Sequence, residues 1–211
     1  FAVVVVYEGP AEDFRVVNVF DGFQFFRGSQ VTLAPDNFVI PPSPVNGKQL
    51  VISWEGDAGN SGALGGFTEQ LTFNGAALPF GGSDSFNPPG TNPANNQFNG
   101  TVTGDLGPQT GVLGVDIDTY DISSALASGD TSGSTVYSSG GDLVILGAEV
   151  ISVTNTPVSD FGILKTSSGS FQAGATGAYT LSVENFGPDD ETGTVTVTDD
   201  LSGTGLGFVS A

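Results

Sequence analysis

Leu143-Val144-Ile145-Leu146-Gly147-Ala148-Glu149-Val150-Ile151-Ser152-Val153 is the stretch that decides the fold. It reads as one strand, long enough to cross a whole sandwich. Working outward from it, strand signals recur and helix signals are nearly absent. Val136-Tyr137, residues 111–117 and residues 101–103 continue the β pattern upstream. Asp121-Ile122-Ser123-Ser124-Ala125-Leu126 is the one helical turn expected, with Asp121 as its cap. Residues 67–73 and 76–80 flank Asn74-Gly75 and read as a hairpin. Residues 48–55 form a strong strand that carries the only Trp, Trp54, expected as a core anchor.

Nearer the start, residues 14–20 and 23–26 flank Asp21-Gly22 and read as a second hairpin. Ala2-Val3-Val4-Val5-Val6-Tyr7 is a continuous β-branched run, as expected of a strand buried on both faces in the middle of a sheet. Residues 81–100 are almost all Gly, Pro, Asn and Ser. A loop this long is usually functional or mobile, and its Phe86 and Phe98 have no local core in sight.

Composition narrows the function classes. With Lys+Arg 4 against Asp+Glu 23, the 211-residue chain carries a formal net charge of −19, so no basic patch exists for nucleic acid. Cys 0, Met 0 and His 0 remove thiolate nucleophiles, imidazole bases and soft metal ligands. Oxygen chemistry remains. Glu55 and Glu69 are carboxylates that a sugar-cleaving acid–base pair would need, but nothing marks them as a pair and no enzyme is expected. Hydrophobic residues at 38% and 16 Phe supply enough apolar mass for packed cores, while Gly 32 and Pro 12 suit many short strands joined by turns. No stretch reaches the ~20 apolar residues of a membrane helix, so no membrane insertion is expected. The chain opens on its strand-like run without Met, as a processed or partial product would.

Around Thr154-Asn155-Thr156-Pro157 the aromatics thin out, and Ser, Thr and Gly begin to alternate with Val and Leu at 161–165, 178–183 and 194–198. Two domains are expected, 1–155 and 156–211. In the second, Phe161-Gly162-Ile163-Leu164-Lys165-Thr166, Phe171-Gln172-Ala173-Gly174, Tyr179-Thr180-Leu181-Ser182-Val183, Asn185-Phe186-Gly187-Pro188 and Val195-Thr196-Val197-Thr198-Asp199-Asp200-Leu201 follow in order. This tail resembles the conserved-repeat domain of bacterial and archaeal surface proteins, an immunoglobulin-like β-sandwich. The resemblance covers about 50 residues and implies an extracellular or cell-surface structural module without catalytic residues. The family's later strands are missing. Residues 3–8, Val19-Phe20-Asp21-Gly22-Phe23 and residues 114–122 are similar, less specifically, to a secreted β-sandwich module found upstream of such repeats. The expected fold is therefore all-β: an antiparallel, jelly-roll-like β-sandwich followed by a partial immunoglobulin-like one.

Several constellations stand out. Asp116 and Asp118 share one face of a strand and, with Asp121, form the tightest acidic group, a candidate set of hard oxygen ligands for calcium. The competing reading makes Asp118 and Asp121 turn and cap formers. Asn99-Gly100-Thr101 is an acceptor sequon, so Asn99 is a candidate glycan attachment site. Trp54, Phe86, Phe98 and Tyr120 are the aromatics on which a sugar ring would stack. Lys48 and Lys165 lie in apolar strands, where an isopeptide staple or a snorkelling edge lysine would fit.

The function expected is a structural subunit of an extracellular filament, sheath or surface layer, self-associating into a homopolymer by β-strand addition. Phe1, Val3, Val5, Tyr7, Phe86 and Phe98 are the expected interface. The alternative is a calcium-dependent or carbohydrate-binding adhesive module, with glycans or matrix polysaccharide as partners.

Overall fold

Runs of β-branched and aromatic residues broken by Gly, Pro and Asn fold as strands and turns, and among the described residues no α-helix forms. The structure is a computed structural model describing residues 3–7, 9, 12–59, 62–105, 107–112, 114–168, 172–187, 189–190 and 192–209. The chain divides into two compact units, Phe1–Thr156 and Pro157–Ala211.

The first unit contains β1 (Arg15–Phe26), β2 (Ser29–Leu33), β3 (Gly47–Trp54), β4 (Gln70–Phe73) and β5 (Ala76–Ala77). There follow β6 (Thr101–Val102), β7 (Gln109–Thr110), β8 (Val115–Asp121), β9 (Thr135–Ser139) and β10 (Val144–Thr154). They make a six-stranded sheet, β1-β10-β3-β8-β6-β7, and a four-stranded sheet, β2-β9-β4-β5. Pairing is antiparallel except between β6 and β8. Val51, Tyr120, Ile151 and Val153 from the first sheet join Leu71, Phe73 and Tyr137 from the second in one apolar core, which Phe38, Ile40, Leu78 and Phe98 complete from the connections. Burying each large side chain contributes about 1.5–3 kcal/mol. The architecture is sandwich-like and all-β.

The long strand around Gly147 is β10, second in its sheet between the edge strand β1 and β3. Its inward phase changes at a bulge, so that Leu146 and Glu149 both face the core. A Cβ on Gly147 would lie 1.9 Å from the Trp54 ring, so that ring occupies the space above the glycine. Trp54 is thus not a core anchor. The inward residues of β3 are Gly47, Gln49, Val51 and Ser53, and Trp54 lies half-buried on the opposite face, stacked on Phe23 at 5.4 Å between ring centroids.

Two further expectations are corrected. Asp21-Gly22 makes no hairpin turn: β1 runs through it as one strand, bulged between Asp21 and Gln24, because pairing with β10 on both sides outweighs the local turn preference. The run at residues 3–7 lies in no strand and is exposed, so it is not a buried central strand. The hairpin at Asn74-Gly75 does form, with both residues at positive φ.

The second unit contains β11 (Phe161–Ser168) and β12 (Ala178–Asn185), paired antiparallel in unbroken register. Residues 194–198 make no strand. Lys165 reaches Asp199 at 2.7 Å and lies over the Tyr179 ring at 4.3 Å. An ion pair accounts for that lysine. Among the described residues no helix is long and apolar enough to cross a membrane.

Candidate functional site

The period-two pleat of β8 turns Asp116, Asp118 and Tyr120 inward and leaves Asp121 on the other side of the strand. The connection at residues 83–101 packs against this strand and gives it much of its polar partnership. Asp84 Oδ1 accepts the N–H groups of Phe86 and Asn87, while its Oδ2 accepts the backbone N–H of Asp121 at 3.0 Å. The Asn87 amide donates to the Thr119 carbonyl. Asn92 donates to Asn87 Oδ1 and to the Tyr120 hydroxyl, and Tyr120 donates to Gln97 Oε1 at 2.8 Å. The long polar loop is therefore a tied-down strap.

At the end of this strap, successive backbone N–H groups point at two carboxylates. Phe98 N–H donates to Glu69 Oε1 at 2.7 Å. Those of Asn99, Gly100 and Thr101 donate to Asp116 Oδ1 at 2.8, 2.8 and 3.2 Å. Gly100 permits this turn with φ 72°, where a Cβ would lie 2.7 Å from the Val112 carbonyl oxygen. Glu69 and Asp116 are each only 1% exposed, and their second oxygens, Oε2 and Oδ2, are buried without a hydrogen-bond partner. Such atoms are uncommon in native interiors.

Burial raises the Glu69 pKa to about 7, against the Phe98 N–H, and the nearby charges of Asp142 and Asp116 raise it further. Burial likewise raises Asp116 to about 6, opposed by its three backbone donors. Asp118 is raised to about 7 by burial and by Asp116, opposed by hydrogen bonds from Asn92, Thr103 and Thr101. Asp142, also buried, accepts the Asp57 N–H at 3.4 Å and is raised too.

The expected calcium set does not converge as a trio. Asp116 and Asp118 share the inner face, but Asp121 accepts the Ser123 N–H at 2.9 Å, as a turn former does, and the cap position of the short turn that follows is Ile122. Among the described residues no group of three or more His, Cys, Asp or Glu has metal-holding geometry. Glu55 is exposed at φ 70° and is not brought to buried Glu69 as an acid–base partner. Asn99 donates its side-chain amide to the carbonyls of Thr91 and Asn96, bonds a glycan on that nitrogen would disturb.

The aromatic expectations shift as well. Phe98 is 1% exposed in the core, edge-on to Phe26 and stacked on Tyr137, which removes it from any interface. Phe86 is buried beneath Lys48, whose Nζ lies 5.1 Å from the ring centroid. Tyr120 is buried too. Val3, Val5 and Tyr7 are exposed, and Phe1 lies outside the described residues.

Comparison with protein-family models, with curated proteins and with solved structures gave no match.

Proposed function

We propose that the chain is a structural subunit of an extracellular filament, sheath or surface layer, joined to its neighbours by β-strand addition. The observation that carries this reading is the segment at residues 3–7. A β-branched, apolar run with high strand propensity lies in no strand, with Val3 and Val5 each 74% exposed and Tyr7 83%. Leaving such a run in water forgoes burial of order 1.5–3 kcal/mol for each large side chain. A receptor for it is at hand in the same fold. Strands β1 and β2 are the open edges of their two sheets, and a hollow of about 460 Å³ lined by Phe20, Phe23, Val31, Leu33, Leu146 and Glu149 opens between them. In an added strand Val3, Val5 and Tyr7 project to one side, toward that hollow. A head-to-tail contact of this kind repeats without closing and generates a fibre.

The finer fold reading accompanies this function: a jelly-roll-like sandwich followed by an immunoglobulin-like one. It is supported by the apolar side chains that β11 and β12 leave exposed on one face, Ile163 at 59% with Leu181 and Val183, which a facing sheet would cover. The extracellular setting rests on the likeness to surface-protein repeats, and no catalytic step is assigned.

Electron microscopy of the purified chain tests the reading. Regular filaments are expected from the wild type, and Val5→Asp should leave dispersed particles by placing a charge in the added strand. Monodisperse wild-type monomers at high concentration would sink the proposal. Glycan binding stands second, carried by the Phe23–Trp54 ring stack on the outer face of the six-stranded sheet. Its signature is saturable quenching of the single tryptophan by an oligosaccharide.

A further inference from the structure

Glu69 precedes β4 and Asp116 lies on β8, in different sheets, yet consecutive backbone donors at 98–101 hold one oxygen of each. That arrangement fixes both carboxylates while leaving Glu69 Oε2 and Asp116 Oδ2 sealed from water and unpartnered. The Phe98 carbonyl oxygen lies beside Asp116 Oδ2. It and Asp116 Oδ2 lie 2.5 and 2.2 Å from the point where a Cβ on Gly56 would stand, so only a glycine lets the 56–58 backbone come so close. Asp142 is an electrostatic neighbour of both carboxylates, and Arg27 is the cation that opposes its charge. Buried negative charge without a matching cation is costly. A bound cation removes that cost, and every donor here is a hard oxygen.

We propose that Glu69 Oε2 and Asp116 Oδ2, with the Phe98 carbonyl as a neutral donor, form a binding site for a hard divalent cation, with calcium the best match to their chemistry. The flexible oxygen-only coordination of calcium accepts carboxylates through one oxygen or two, together with a main-chain carbonyl, whereas a smaller ion demands a near-ideal octahedron. The site is distinct from the Asp116, Asp118 and Asp121 grouping. Asp121 faces away, and Glu69 takes its place from the opposite sheet. The ion ties the two sheets and the strap together at one point, a role independent of whether subunits assemble.

Calorimetric titration of calcium into the chelator-treated full chain at pH 7.5, paired with thermal melts, is the test. One ion per chain should bind, and saturation at a hundredfold excess over Kd should raise Tm by roughly 5–10 °C. Glu69→Gln keeps the Phe98 acceptor and the side-chain shape, so it should fold normally while calcium affinity falls on the order of a hundredfold. Asp116→Asn should do the same, and Asp121→Asn should leave affinity unchanged. A folded wild type without calcium response would overturn the site in favour of a proton shared between the two carboxyls. So would Glu69→Gln retaining wild-type affinity and stoichiometry, or Asp121→Asn abolishing binding.

Discussion

Glu149 is fully buried, with Oε2 accepting hydrogen bonds from Gln49 at 2.7 Å and from the Tyr137 hydroxyl, and with Oε1 left unpartnered. Burial raises its pKa above the ordinary glutamate value, against the donors Tyr137, Thr135 and Gln49. The folded state therefore holds a proton that the unfolded state releases. The resulting stability is complete below about pH 4.5 and is lost as pH rises through the folded-state pKa. Glu149→Gln is neutral throughout, so its Tm should exceed that of the wild type at pH 8 by a margin that shrinks toward pH 4.5. Parallel melting curves across that range would contradict the assignment. Glu149 did not stand out in the sequence because strict alternation from Leu146 puts it on the outside; the bulge at Gly147 reverses the phase. Trp54 was misjudged for a related reason. The core accepts Gln49 opposite Tyr137 and Glu149, so polar residues mark the inner face of β3 and the large aromatic lies outside.

Among the elements, the strap at residues 83–101 departs furthest from its composition. Its Asn, Asp and Gln side chains act as a set of local acceptors and donors that replace a neighbouring strand along part of β8. Asn92 is central, donating to Asn87 and Tyr120 and accepting from the Thr101 hydroxyl at 2.7 Å. Asn92→Ala leaves Asn87 Oδ1 without its donor, removes one bond each from Tyr120 and Thr101, and should cost about 2–3 kcal/mol. Hydrogen exchange should then accelerate across the strap and at Thr119 and Asp121, while β10 and β3 stay protected; a uniform loss of protection would contradict this coupling. The strands at β3, β8 and β10 and the Asn74-Gly75 hairpin were legible because β-branched runs and a positive-φ turn pair act locally. The strap's order was not, since it depends on side chains meeting a strand that lies later in the chain. Glu69 did carry a usable signal: Leu71 and Phe73 share its period-two phase and both are buried.

For the whole molecule, an all-β, sandwich-like build followed from strand signals and turn residues, while sheet membership and the open β1 and β2 edges are products of long-range pairing. The pairing of Glu69 with Asp116 is of the same kind, arising only when the two sheets face each other. The net charge of −19 bears on assembly, because stacked copies repel through solvent over a Debye length of about 10 Å at 0.1 M salt. If the chain assembles by the strand addition proposed above, filament growth should quicken between roughly 10 mM and 500 mM sodium chloride and then level off. Light scattering across that series checks it, and growth that slows with salt would point to charge attraction between subunits instead.

The strap is fastened to β8 near both of its ends, through Asp84 at Asp121 and through residues 99–101 at Asp116. A single cut between these fastenings therefore severs the covalent chain without freeing either fragment. Each side of the break stays moored to the same strand, and the particle keeps its shape as a nicked but undivided body. Under proteolysis, the segment that looks most vulnerable in the sequence is the one whose cleavage matters least.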